Sequence, residues 1–166
     1  MDLPDSYISD ALAAIGSQPN RPRQSILRRA VSTAYYALFI ELTGDAAGAM
    51  APASPAKLKA VVRRKLQHGT MVRVCKAWKA NNSPWAHLIV AGLPTQLATV
   101  AGDFVSLQED RHEADYEPTL RLSKAGAMAS VLRARDAIQA WRALKAAHPD
   151  AANVFLVSLL HDRPKV

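Results

Sequence analysis

Apolar positions recur at helical spacing along most of this chain, and no window alternates apolar and polar residues over the length of a strand. Ala and Leu dominate over Val, Ile and Thr, a balance that favours helices over sheets. A first helix is expected from about Asp5 to Ile15, closed by Gly16 and set off by the run Gln18 to Arg23. A second should run from about Gln24 to Thr43. Ile26, Ala30, Ala34, Ala37 and Leu38 form its stripe, and Tyr35, Tyr36, Phe39 and Ile40 add apolar surface around it. A helix apolar nearly all round must be central or lie at an interface. Gly44 reads as its stop, and Asp45 to Ser54 as a loop.

Ser54 and Pro55 suit the N-cap and first position of a third helix, ending near His68 with Gly69 as its C-cap. A shorter helical stretch, about Met71 to Ala80 with Val74 and Trp78 inward, is broken by Asn81-Asn82-Ser83-Pro84. From Pro94-Thr95 another helix should reach Arg111 to Asp115, with Leu97, Val100, Phe104 and Leu107 on one face, and Tyr116-Glu117-Pro118 ends it. Ser123 caps the next, which runs to about Ala147 and turns Ala127, Val131, Ala134, Ile138 and Trp141 inward. Asp150 is positioned to cap a short terminal helix within residues 150–161. The expectation is an all-α chain with about five main helices and short extra ones. It should form a single domain over residues 1–166, with its core in about 24–147 and no internal repeat.

The 166 residues suffice for a real core, and 49% hydrophobic against 21% charged residues excludes a disordered chain. The densest apolar run, Val154 to Leu160, is too short to span a bilayer, so no membrane partner is expected. The acidic start Met1-Asp2-Leu3-Pro4-Asp5 lacks a basic-then-apolar signal segment, and the lone Cys75 excludes an internal disulfide. Both suit a cytoplasmic, bacterial-type protein. The formal net charge of +7 favours polyanionic partners such as RNA, DNA or an acidic protein, although many small domains are simply basic. There is no Gly-rich phosphate loop, nucleophile elbow or zinc spacing, and no His pair at i, i+4, so neither a metal nor a cofactor is expected.

Two segments remain. The first runs from Arg28-Arg29 into Ala34-Tyr35-Tyr36-Ala37-Leu38-Phe39. The second is Phe104, then Leu107-Gln108-Glu109-Asp110-Arg111-His112-Glu113-Ala114-Asp115-Tyr116-Glu117-Pro118. Their order and spacing, with His68-Gly69 between them, resemble the HEPN family of helical domains associated with RNA and nucleotides. The likeness covers roughly Ile26 to Leu144. It implies an antiparallel helical bundle, usually a homodimer with its active cleft at the interface. Active members are metal-independent endoribonucleases, often toxins or antiphage effectors, and an antitoxin or neighbouring defence protein is then an expected partner. Their motif is Arg, a polar residue, a few free positions, then His. Carried over, Arg111 matches the Arg and His112 the polar position. The motif's His would fall near Tyr116, where this chain has tyrosine.

Cleaving RNA without a metal needs a base for the 2′-hydroxyl, an acid for the leaving oxygen and a cation for the phosphorane. Arg111 offers a planar fork for phosphate oxygens. Imidazole is the side chain suited to acid–base work near neutral pH, which makes His112 the candidate for the missing His. Tyr116 can donate a hydrogen bond, but a phenol is a poor base at pH 7. Neighbouring helical residues diverge by about 100°, so Arg111 and His112 converge only if the helix frays or two copies meet. Equally, residues 109–113 read as a solvated helix end with weak ion pairs.

Tyr35 and Tyr36 read as core or dimer packing more readily than as base-stacking platforms. One of Arg28 and Arg29 should face the bundle end near the second segment. Arg63, Arg64 and Lys65 make a solvated face or a guide for RNA, Arg28 and Arg29 read the same way, and His68 joins them as a candidate RNA or nucleotide contact. His68 reads as a helix C-terminal residue interacting with the local dipole. Three functions stay open: an RNA-directed protein of a bacterial stress, toxin or defence system that cleaves RNA; a non-catalytic module binding RNA, a nucleotide or a protein; and a helical scaffold without a site.

Overall fold

Asp2 opens the first helix, because its carboxylate accepts the Asp5 N–H at 3.0 Å and satisfies a donor that the helix start leaves unpaired. The computed structural model describes residues 2–18, 20–161 and 163. Among them are seven α-helices, one short 3-10 turn and no strand: α1 (Leu3–Gly16), α2 (Gln24–Met50), α3 (Ala56–Lys65), α4 (His68–Lys79), the turn Ala86–Leu88, α5 (Thr95–Tyr116), α6 (Lys124–Ala147) and α7 (Pro149–Ser158). The chain is therefore all-α, and no helix among the described residues is long and apolar enough to cross a membrane.

Two compact units divide the chain, Met1–Ile40 with Asp103–Ile138 and Glu41–Gly102 with Gln139–Val166. In the first, Ile8, Ala11 and Ile15 of α1 are buried, as are Leu27, Ala34, Tyr35 and Leu38 of α2. Phe104 and Leu107 of α5 and Ala127, Val131 and Ala134 of α6 complete this core, with the Tyr35 ring 5.5 Å from Phe104. The stripes expected on α5 and α6 are thus the buried ones. Ser123 caps α6, its Oγ accepting the Gly126 N–H at 2.9 Å.

The second unit is built around Trp78, Trp141 and Phe155, all fully buried, with Phe155 6.0 Å from Trp78 and 5.5 Å from Trp141. Each indole finds an acceptor: Trp78 donates to Ser158 Oγ at 3.0 Å, and Trp141 to Asp45 Oδ2 at 2.7 Å. Lys145 shares that Asp45 oxygen at 2.7 Å, and Arg142 grips Glu41 with two bonds of 2.8 and 2.9 Å.

Four boundaries differ from the sequence reading. Gly44 does not stop α2, which continues to Met50 and takes up the first six of the ten residues of the expected loop, Asp45 to Ser54. Leu42, Thr43, Ala46 and Ala47 are buried along it, and that burial outweighs the roughly 1 kcal/mol cost of a helical glycine. Ser54 is not an N-cap; Pro55 precedes Ala56 with no side-chain cap. His68 is the first residue of α4, not the end of α3, and Gly69 lies in α4's first turn. Leu66 is extended and 4% exposed, so burying it ends α3 at Lys65. Finally, His148 rather than Asp150 stands at the α7 N-cap, while Asp150 lies in the first turn, where its charge suits the helix dipole.

Candidate functional site

The last two turns of α5 carry the candidate chemistry, all within the first unit. Ala114 is buried there, which fixes which faces its neighbours present. Asp110 turns toward α6, accepting from Ser130 Oγ at 2.7 Å and from Arg133 Nη1 at 2.9 Å. Arg111 and Asp115, one turn apart, form an ion pair with Nε 2.8 Å from Oδ2. The Nε–H is not aimed at that oxygen, so Nε is a buried donor without a hydrogen bond. Asp115 also accepts weakly from Ser32 Oγ of α2 at 3.4 Å.

Three tyrosine rings surround the Arg111 guanidinium, with centroids 5.8 Å away for Tyr35, 5.4 Å for Tyr36 and 5.8 Å for Tyr116. Each distance is within cation–π reach. The Arg111 side chain keeps 18% of its exposure, so the group is clamped but not sealed. Desolvation pulls its pKa down, while Tyr36, Asp115, Tyr116 and Tyr35 together more than reverse this and hold it above the ordinary arginine value. The tyrosines add charge only once ionised; at neutral pH Asp115 and the ring faces stabilise the cation.

Tyr116 is 65% exposed and joins this clamp to an open groove of about 390 Å³ lined by His112, Glu113, Tyr116, Glu117 and Leu120. The His112 ring lies against Tyr116, centroids 5.1 Å apart at 46°. Arg111 itself does not line the groove. Hydrogen bonds from Thr119 Oγ1 at 2.6 Å and Thr119 N–H at 3.1 Å hold the Glu117 carboxyl below its ordinary range, so the groove keeps an anion. Within the groove a phosphate is therefore better placed beside His112 than beside Glu113 and Glu117, while Tyr116 offers a ring face for a base.

Arg28 reaches the same helix end. Its guanidinium donates to the Ala114 carbonyl, to Glu117 O and Leu120 O at 2.8 Å each, and to Pro118 O at 3.5 Å. It clasps the last turn of α5 and the loop behind the groove, using carbonyls that a helix end leaves open. Arg29 is exposed elsewhere, on a groove of about 340 Å³ shared with Asp10, Ala11, Ile26 and Thr33. Arg63, Arg64, Lys65 and His68 belong to the second unit. The first three are exposed at the end of α3.

The expected residues thus fall into three sets: Arg111, His112, Tyr116 and Arg28 around the end of α5, Arg29 on α2, and the α3–α4 cluster. Sequence reasoning missed Asp115 as the partner of Arg111, although their i, i+4 spacing signals it. It also missed the tyrosine clamp, which no local pattern reveals. Among the described residues no group of three or more His, Cys, Asp or Glu is placed to hold a metal ion. No family model matches the chain, and no curated protein or solved structure is significantly similar to it.

Proposed function

We propose that this protein is a HEPN-type helical module that binds RNA at the end of α5, with Arg111 on a phosphate, His112 beside it and an unpaired base stacked on Tyr116. The observation that carries this reading is the clamp: a guanidinium fixed between three rings by a carboxylate, one ring continuing into an open groove. Preorientation lowers the side-chain entropy lost on binding. Stacking on an exposed aromatic is tolerant of base identity and contributes about 1–3 kcal/mol per base. A role in a bacterial stress, toxin or defence system, and a two-fold pair bringing two copies of Arg111 together, belong to this proposal.

The test is fluorescence anisotropy with a labelled single-stranded RNA. Arg111→Ala and Tyr116→Ala should each weaken binding tenfold or more with the fold intact by circular dichroism. Unchanged affinity in both would overturn the reading.

A second reading, metal-independent cleavage, is favoured by the exposed His112 imidazole on the groove. The 2′-oxygen attacks phosphorus and the bond to the 5′-oxygen breaks. One group takes the 2′-hydroxyl proton and another returns a proton to the leaving oxygen, giving a 2′,3′-cyclic phosphate and a 5′-hydroxyl. Incubation with RNA in excess chelator checks it. Wild type should release cyclic-phosphate ends that Arg111→Ala and His112→Ala do not; no cleavage at high protein concentration leaves binding alone.

A further inference from the structure

The charge of this protein is unevenly placed. The second unit has twelve Lys and Arg against four Asp and Glu, whereas the first has nine against ten. Residues 46–102 contain eight Lys and Arg and no acidic residue at all. Five of those cations, Lys57, Lys59, Arg63, Arg64 and Lys65, stand on the ten residues of α3. None of the five pairs with an acid among the described residues, and α3 has no buried residue. So many unpaired charges on one short helix repel one another and destabilise the free protein unless a partner neutralises them.

We infer that α3 is a second, sequence-independent docking surface, taking the phosphate backbone of single-stranded RNA. Charge complementarity sets the partner's sign, and the distribution of the charges sets its class. At 100° per residue, Lys57 and Arg64 lie on one side of α3 and Lys59 and Arg63 on another. Lys65 falls between the half-exposed Leu58 and Val61. An interfacial helix lies on a membrane through an unbroken apolar face, and here that face holds a lysine. Cations distributed around the helix suit a flexible polyanion that can follow them. This surface rests on the RNA reading only for the identity of the polyanion; its residues are distinct from those at the end of α5, so either site can fail alone.

The experiment measures RNA affinity of the full chain against salt concentration for wild type, Arg111→Ala, and a variant with Lys57, Arg63, Arg64 and Lys65 all changed to Gln. Each phosphate contact to a single strand contributes about 0.7 to the slope of log K against log salt. The fourfold variant should therefore flatten the slope by about 3, and Arg111→Ala by less than 1. Because these side chains lie on a helix with nothing buried, the fold should survive, with circular dichroism as the check. An unchanged slope overturns the proposal. So does loss of binding to vesicles containing anionic lipid while the RNA slope stays as in wild type, which would make the partner a membrane surface. A flattened slope with Arg111→Ala indistinguishable from wild type keeps this surface and removes the α5 site.

Discussion

Replacing Arg28 by Ala removes the clasp that ties α2 to the end of α5 and to the loop behind the groove. Its bonds to the Ala114 and Leu120 carbonyls are part-buried, while those to Glu117 and Pro118 face water, which can take over. Hydrogen bonds from a charged donor contribute about 1.5–3 kcal/mol each, so the two part-buried ones set a gross value of about 3–6 kcal/mol. Up to about 2 kcal/mol returns as the unfolded arginine regains rotamers that it lacks when folded. Taking the middle of the gross range less that entropy, the net expectation is a loss of about 2–3 kcal/mol. For a chain of this size that corresponds to a fall of about 4–12 °C in Tm. Urea unfolding followed by circular dichroism supplies the value, and Arg28→Lys should recover less than half of it, because an ammonium cannot span carbonyls as a planar fork does. A loss below about 0.5 kcal/mol, or full recovery by lysine, would refute the clasp.

Trp141→Phe removes the indole N–H and one of its two fused rings from a fully buried site, so it deprives Asp45 of its 2.7 Å donor, leaves Lys145 to hold the carboxylate and opens a small cavity. The loss in the same assay should exceed the about 1–2 kcal/mol of the hydrogen bond alone. Burial raises the Asp103 carboxyl pKa and Asp136 adds to this, against the pull of Arg133. A carboxyl raised in the folded state loses stability as pH climbs through that raised value, so Asp103→Asn should be more stable than wild type at pH 7 and equal to it at pH 3, read as urea midpoints. Burial pushes the Cys75 thiol far above its ordinary value, so a thiol-specific reagent should label it only after unfolding.

The helices were legible wherever one residue type repeats on one face. Leu97, Val100, Phe104 and Leu107 needed only their spacing, and all are buried. Boundaries failed where local chemistry and burial disagree. Gly44 signals a stop, yet Ala46 and Ala47 beyond it are buried, and the helix continues. His68-Gly69 reads equally as an end or a beginning, and the burial of Leu66, which no periodicity marks, decides it. At the site, Arg111 and His112 were visible as residue types. The clamp joins α2 to α5, Arg28 reaches carbonyls 86 to 92 residues away, and Asp45 meets Trp141 across 96. Such pairings depend on how helices pack, which a one-dimensional pattern does not encode.

The most direct measurement is on the Arg111 Nε–H itself, a buried donor with no hydrogen bond in the free protein. Its resonance in a proton–nitrogen correlation spectrum can be assigned by its disappearance in Arg111→Lys and then followed as single-stranded RNA is added. If RNA binds at the end of α5 as proposed, this resonance and the backbone amides of His112 to Glu117 shift together and saturate at one RNA concentration. Saturating RNA that moves other resonances but leaves these still would contradict it.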